Sequence, residues 1–243
     1  MTKLGLRALV TRPREESEAV AAALATRGIE PVIEPLMEVH YRAPAALDLR
    51  GVQAILCTSA NGVRALARAA VERGVPLFAV GDATAARARS ERFTAVESAS
   101  GDVTDLARLA AARLRPQDGP LLHVAGNVVA GDLVGVLRER GFSIERCVLY
   151  EAVPVTALSP TTIDSLRGNS IDFALFFSPR TAAIFAELAV AAGVVDCCAT
   201  MTALSISPAV DRALADLRWL DRRIAERPSQ SALLEALDRA LSK

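Results

Sequence analysis

Histidine is nearly missing: His40 and His123 are the only two in 243 residues. A His-rich metal centre is therefore excluded, and a Ser-His-Asp triad would have to use one of the pair. Neither accompanies a G-x-S-x-G nucleophile elbow. His123, inside the apolar run LLHVAG, reads as a strand histidine packed inward. The four cysteines, Cys57, Cys147, Cys197 and Cys198, have the spacing of neither a zinc site nor a disulfide framework. They read as small buried hydrophobes in a reducing cytosol. Charge of one sign is also lacking, since Lys+Arg and Asp+Glu are both 28. That balance argues against a general nucleic-acid or membrane-surface binder, while leaving room for a local basic pocket that takes an acidic small molecule. No apolar run approaches the ~20 residues of a membrane span. The opening MTKLGLRALVTRP runs straight into a strand without the apolar core of a signal peptide, so a cytoplasmic protein is expected.

Three cofactor signatures are absent as well. No G-x-G-x-x-G follows a strand, so a dinucleotide site is unsupported, and no G-x-x-x-x-G-K-[ST] marks a P-loop. No cluster of acids at strand ends offers a Mg²⁺ site. The expectation is a protein without cofactor or metal.

What the chain does have is apolar residues, 51% of the total, in short runs that alternate with helical patterns. Strands are expected at 6–10, 31–34, 53–57, 77–80, 94–97, 121–125, 145–150, 172–177 and 203–206. Helices are expected at 15–27, 61–73, 83–90, 103–114, 130–140, 180–192, 209–216 and 230–241. Runs apolar on both faces, joined by helices, predict parallel sheets covered on each side.

The pattern also repeats. V-T-R-P (10–13), a glycine at 28 and Leu36 recur as V-A-G-N (124–127), Gly141 and Leu149. T-S-A-N-G-V (58–63) recurs as F-S-P-R-T-A (177–182), V-G-D-A-T-A (80–85) as I-S-P-A-V-D (206–211), and D-V-T-D-L (102–106) as S-Q-S-A-L (229–233). The spacing widens along the chain from about 113 residues to 127, as duplication followed by loop insertions leaves it. A period this long suggests two similar α/β domains rather than a solenoid. It fits a simple split near residue 118 and an interleaved arrangement equally well.

Chemistry is expected where strands end. The carboxyl ends of parallel strands share one edge, and ligands bind there. Here those ends read Thr11-Arg12-Pro13, Thr58-Ser59-Ala60-Asn61-Gly62, Gly81-Asp82-Ala83-Thr84, Gly126-Asn127, Ser178-Pro179-Arg180-Thr181 and Ser207-Pro208. Singly, each hydroxyl or amide is an ordinary helix cap. Together they form an uncharged surface of hydroxyls and helix N-termini suited to carboxylates or phosphates. Arg12 and Arg180 stand where they could add bidentate contacts.

These stretches, with I-E-P-L, L-R-E-R-G-F…V-L-Y and the final P-S-Q-S-A-L-L-E-A-L, run in order from about residue 8 to 241. In that order they resemble the uroporphyrinogen-III synthase family. The resemblance implies two flavodoxin-like three-layer α/β/α domains with parallel sheets, joined by a two-stranded linker, with the active site between them. It assigns 1–36 plus 155–243 to one domain, 41–147 to the other, and 37–40 and 148–154 to the linker. It implies a monomeric, cofactor-free lyase that cyclises hydroxymethylbilane, received in a transient hand-off from hydroxymethylbilane synthase. The strand-end residues Thr11, Arg12, Ser59, Asn61, Gly81, Thr84, Gly126, Asn127, Ser178, Arg180 and Ser207 would hold the substrate's carboxylates. Tyr150, in V-L-Y, aligns with a family tyrosine assigned as proton donor; otherwise it is a packed strand tyrosine. Two departures stand out. The family's arginine after V-A-G is missing from Asn127-Val128-Val129-Ala130-Gly131, and threonines are missing at Ala209 and Val210. They keep open a second reading, a non-catalytic regulator on the same fold that binds a tetrapyrrole or a small anion.

Overall fold

A computed structural model describes residues 5–42, 47–128 and 131–242. Among these, the strands in chain order are β1 (Leu6–Val10), β2 (Ile29–Ile33), β3 (Met37–Tyr41), β4 (Ala54–Cys57), β5 (Leu77–Ala79) and β6 (Val96–Ser98). They continue as β7 (Leu121–Gly126), β8 (Ile144–Pro154), β9 (Phe173–Phe176), β10 (Thr202–Ser205) and β11 (Asp221–Ile224). The helices are α1 (Arg14–Ala25), α2 (Ala60–Ala69), α3 (Asp82–Ser90), α4 (Val103–Arg113) and α5 (Leu133–Glu139). After these come α6 (Pro160–Arg167), α7 (Pro179–Ala191), α8 (Pro208–Ala213) and α9 (Gln230–Leu241). Two compact units emerge: Met1–Glu38 with Val153–Lys243, and Val39–Ala152.

The first unit holds a five-stranded sheet in the order β2-β1-β9-β10-β11. Its strand pairs are parallel throughout the described residues. The second holds a six-stranded sheet, β8-β7-β4-β5-β6 with β3 beyond β8. Under the sequence repeat, β7 and β8 correspond to β1 and β2, and β4, β5 and β6 to β9, β10 and β11. The two sheets therefore have the same strand order, the 2-1-3-4-5 of flavodoxin-like folds. Each half of the chain gives its first strand pair to one sheet and its next three strands to the other. Register agrees, with Leu6 opposite Ile29 and Leu121 opposite Ile144 at the same sequence separation.

Both faces of each sheet are covered. In β4, Ile55 and Cys57 join a cluster with Val63, Leu66 and Ala85 of α2 and α3. The alternate residues Ala54 and Leu56 join Leu106, Ala110, Leu133 and Leu137 of α4 and α5. This is the strand's two-residue period read out as two layers of core. In the first unit Val10, Leu175 and Leu204 pack with Leu24 of α1 and Leu233 and Leu237 of α9. Phe176 meets Phe185 of α7 edge-on at 5.2 Å. Burying such rings supplies about 3–5 kcal/mol each, judged by truncation to alanine.

Several local expectations change. The helix expected over 61–73 ends at Ala69, because Arg73 folds back onto the carbonyls of Ala67 and Ala70 and closes the last turn. The helix start expected at residue 130 lies outside the described residues; α5 begins at Leu133, capped by Asp132. Two elements fall outside the expected set. β11 reads DRRI, the charged pattern of a sheet edge rather than an apolar run. α6 reads PTTIDSLR, with few strong helix formers, and is started by the Ser159 cap and Pro160.

The cysteines are free thiols, with Cys57 and Cys198 buried and Cys147 and Cys197 half-buried. Burial pushes the Cys57 and Cys198 thiols up to about 12, so neither is a nucleophile at neutral pH. His123 is buried in β7, as expected. No helix among the described residues is long and apolar enough to cross a membrane.

Candidate active site

In the second unit three expected site residues come together at the ends of β4 and β7 and within β8. Ser59 caps α2, its Oγ accepting the Gly62 N–H at 3.0 Å. The same oxygen lies 2.7 Å from the Tyr150 hydroxyl on β8. β7 runs between these strands and ends in Gly126, which faces Tyr150 across an irregularity in the ladder. A Cβ at 126 would meet Tyr150 Cε2 and Cζ at 2.8 Å. Only glycine lets the ring lie over the end of β7 to reach Ser59. Gly62 plays a parallel part, since a Cβ there would approach the Val124 carbonyl at 3.2 Å.

Around this pair the remaining groups are tied down. Asn61 accepts from Arg64 Nη1 at 2.7 Å, and Arg64 is itself buried. Asn127 donates to Glu151 at 3.4 Å and accepts from the Ala152 N–H at 3.2 Å, so its carboxamide is committed to β8. Arg146 donates to the carbonyls of Gly126 (2.7 Å) and Asn127 (3.1 Å). It fixes the turn after β7, of which residues 129 and 130 lie outside the described residues. Gly81 caps α3 without a side chain, and Thr84 is buried in that helix's first turn. Asp82 beside them faces Ser98 (2.7 Å) and Ser100 (2.9 Å), whose hydroxyls hold its carboxyl below the usual range. That acid is a bracket for the loop after β6.

The first unit presents a different set. Thr11 is fully buried and donates to the Leu175 carbonyl at 2.8 Å, stitching β1 to β9. Arg12 pairs with Glu16 (Nε at 3.1 Å), donates to Gln230 at 3.3 Å and lies 4.6 Å over the Phe177 ring. Three strand-end segments thus hold one guanidinium in place. Ser178 caps α7 through the Thr181 N–H at 3.1 Å and also bonds the Thr181 hydroxyl at 2.9 Å. Arg180 is exposed on the first turn of α7. Ser207 precedes α8 without capping it by its side chain. Of the two positions lacking the family's threonines, Val210 is fully buried and Ala209 half-buried.

Electrostatics separates these helix ends. α1, α3, α4 and α8 carry an acid in the first turn, which offsets the positive end of the helix dipole. α5 is capped by the Asp132 carboxylate, and α6 by a serine that the Glu34 carboxylate holds. α2 and α7, the pair related by the repeat, carry no acid and start with serine caps, as does α9. Their N-termini are the ones left suited to anions. Among the described residues no group of three or more His, Cys, Asp or Glu could hold a metal ion.

Arg146 and Gln230 are not among the expected site residues. Gln230 has a signal, lying in P-S-Q-S-A-L; Arg146 acts through contacts that no local pattern announces.

The family model described as uroporphyrinogen-III synthase HemD matches residues 18–235. Among solved structures, the chain is similar to the uroporphyrinogen-III synthetase of Helicobacter pylori 26695, at 19% identity and a TM-score of 0.66, over 97% of this chain and 99% of that one. It is also similar to a mutant uroporphyrinogen III synthase of Thermus thermophilus, at 19% identity and a TM-score of 0.51, over 98% and 99%. At these identities the likeness is one of fold. A search of curated proteins finds no match.

Proposed function

The chain belongs to the uroporphyrinogen-III synthase family, and on that premise we propose that it closes hydroxymethylbilane to uroporphyrinogen III, acting as a lyase of haem biosynthesis. The reaction loses water and inverts ring D. The family match carries this reading; the Ser59–Tyr150 pair gives it a chemical centre.

The substrate is a flexible chain of pyrroles with eight carboxylates. In the second unit the acid-free N-terminus of α2 with Ser59, and in the first that of α7 with Ser178 and near it the Glu16-paired Arg12, each carry donors suited to such arms. Thr11 and Asn127 contribute by fixing backbone, since their side chains are committed within the protein. Uncharged donors suit such a ligand, because they hold carboxylates without locking one conformation of the chain.

Chemistry begins at the terminal hydroxymethyl group. Tyr150 gives its proton to the departing hydroxyl, the carbon–oxygen bond breaks, and water leaves. The pyrrole nitrogen supplies the electron pair that makes the azafulvene. Carbon attack gives a spiro intermediate that reopens with ring D turned over. The phenolate regains a proton when the last pyrrole carbon loses one, so no redox partner is needed. Holding the reacting ends near ~3–3.5 Å is itself a large share of the acceleration.

The non-catalytic reading is not favoured by the family assignment. The test is an assay on hydroxymethylbilane that separates the type I and type III isomers. Formation of the type III isomer above the uncatalysed background is expected. Type I isomer alone, at the uncatalysed rate, overturns the reading.

A further inference from the structure

Tyr150, inside β8, and Ser59, just past the end of β4, come from strands that are not neighbours. In the order β8-β7-β4 a whole strand separates them, about 9–10 Å of sheet at the usual spacing. They meet at 2.7 Å only because β7 stops in a residue with no side chain, where a Cβ would sit 2.8 Å from the tyrosine ring. The Ser59 oxygen meanwhile accepts the Gly62 N–H at 3.0 Å, at the N-terminus of a helix with no acid in its first turn. A hydroxyl has one proton and two lone pairs. Having accepted from a backbone amide, it becomes a stronger donor, and the direction of that amide is fixed by the helix.

We propose that Ser59 is the positioning residue of the reaction: it donates to the Tyr150 oxygen and so turns the phenolic proton toward the departing hydroxyl of the substrate. This rests on the reading of Tyr150 as proton donor. The chain Gly62 N–H to Ser59 O–H to Tyr150 then does two things. Before proton transfer it selects the hydroxyl rotamer that can give the proton away. After transfer it leaves the phenolate accepting a hydrogen bond backed by the N-terminus of α2. Cap and positioning device are the same atom, which is why helix capping alone looks like a sufficient account of Ser59.

The chain has only two tyrosines, Tyr41 and Tyr150. Tyr41→Phe keeps the ring that stacks with Arg68 and leaves Tyr150 as the single phenol. In that background, ring-labelled tyrosine is followed by NMR through a pH titration, with Ser59 intact and as Ser59→Ala, Ser59→Gly and Ser59→Thr. Glycine keeps most of the capping stability, so a folding defect is separated from loss of the hydroxyl. The ionisable groups on adjoining elements, His123, Arg146, Glu151 and Arg64, are common to all four proteins. The expected result is a titration midpoint raised by about one pH unit in both Ala and Gly variants, and restored in Thr. With Ser59 as the only change, kcat should fall on the order of 10²-fold with little change in KM. The same loss should be largely absent when Ser59→Ala is added to Tyr150→Phe. An unmoved midpoint overturns the role of Ser59. A moved midpoint with unchanged kcat overturns Tyr150 as the proton donor instead. Loss of all type III product in every variant, alongside the same loss in the parent, would sink the functional reading itself.

Discussion

Glu34, at the end of β2, holds the start of α6 through Ser159. Its Oε1 accepts the Ser159 N–H at 2.8 Å, and its Oε2 accepts the Ser159 hydroxyl at 2.5 Å and the Thr162 hydroxyl at 2.6 Å. The carboxylate is buried and reaches across more than half the chain to do this. Next to it, the Val155 N–H donates to the Leu36 carbonyl at 3.2 Å. The segment that leaves the first unit and the one that returns to it are therefore tied together at one point.

Glu34→Gln tests that tie. The amide keeps one acceptor but turns an N–H₂ toward two hydroxyls that had a charged partner. The expected loss is about 2–3 kcal/mol, as for a buried charge-assisted network. That lowers the melting temperature by roughly 5–10 °C in a chain of this size. Calorimetry should show it, while Glu30→Gln, an exposed partner of Arg7 on the same strand, should move the transition little. Equal effects from the two would mean that Glu34 is no more than a surface acid.

Gly126→Ala adds one methyl group against the Tyr150 ring, 2.8 Å from two of its carbons. The ring must move, and the Ser59 contact with it. Stability should fall by about 1–3 kcal/mol, the usual cost of overpacking. Formation of the type III isomer should fall by on the order of 10²-fold, since misplacement of about 1 Å suffices for such a loss. Retained activity with a normal melting temperature would show that the ring has free room and that the glycine is incidental.

The parts of the fold legible in the sequence were those written in apolar periodicity: the central strands, the long helices, and through the repeat the kinship of the two sheets. β11 was not, because Asp221–Ile224 is an edge whose charges keep it from pairing with other chains. The candidate site stands in the sequence as a row of strand ends, since caps and glycines are local signals. What those residues touch does not. Thr11 looked like a ligand hydroxyl and donates to Leu175 on another strand. Asp82 is an acid in that row, and its partners, Ser98 and Ser100, come from a different loop. The meeting of Ser59 with Tyr150 depends on which strand ends in glycine between them, a property of the assembled sheet.

His123 gives a pH prediction. It is buried in β7 opposite Arg146, and burial, helped by that guanidinium, lowers its pKa to about 4. The unfolded chain takes up the proton first, near the ordinary value of about 6.5. Stability from this residue is thus full above that pH and falls as the pH drops toward 4, by roughly 3 kcal/mol in all. Among the described residues neither ring nitrogen has a hydrogen-bond partner. His123→Leu should therefore flatten the difference between urea unfolding at pH 7.5 and 4.5, and raise neutral stability by about 1–2 kcal/mol. A variant with the parent's full pH dependence would assign that dependence to the carboxylates.

Ser178→Asp separates capping from substrate contact at the end of β9. Aspartate caps a helix as well as serine does, so the Thr181 N–H keeps its acceptor and α7 its start. The melting temperature should stay within a degree or two of the parent, about 0.5 kcal/mol. The new charge, however, stands on an N-terminus that carries no acid in its first turn. If that end holds carboxylates of the substrate, KM should rise tenfold or more, about 1.4 kcal/mol of lost binding. The effect should shrink at high salt if the aspartate stays exposed to solvent. Ser178→Ala should do the reverse, lowering stability by about 1 kcal/mol through the lost cap while leaving binding closer to the parent. An aspartate variant with unchanged KM would reduce Ser178 to a cap and remove the α7 terminus from the anion-binding groups.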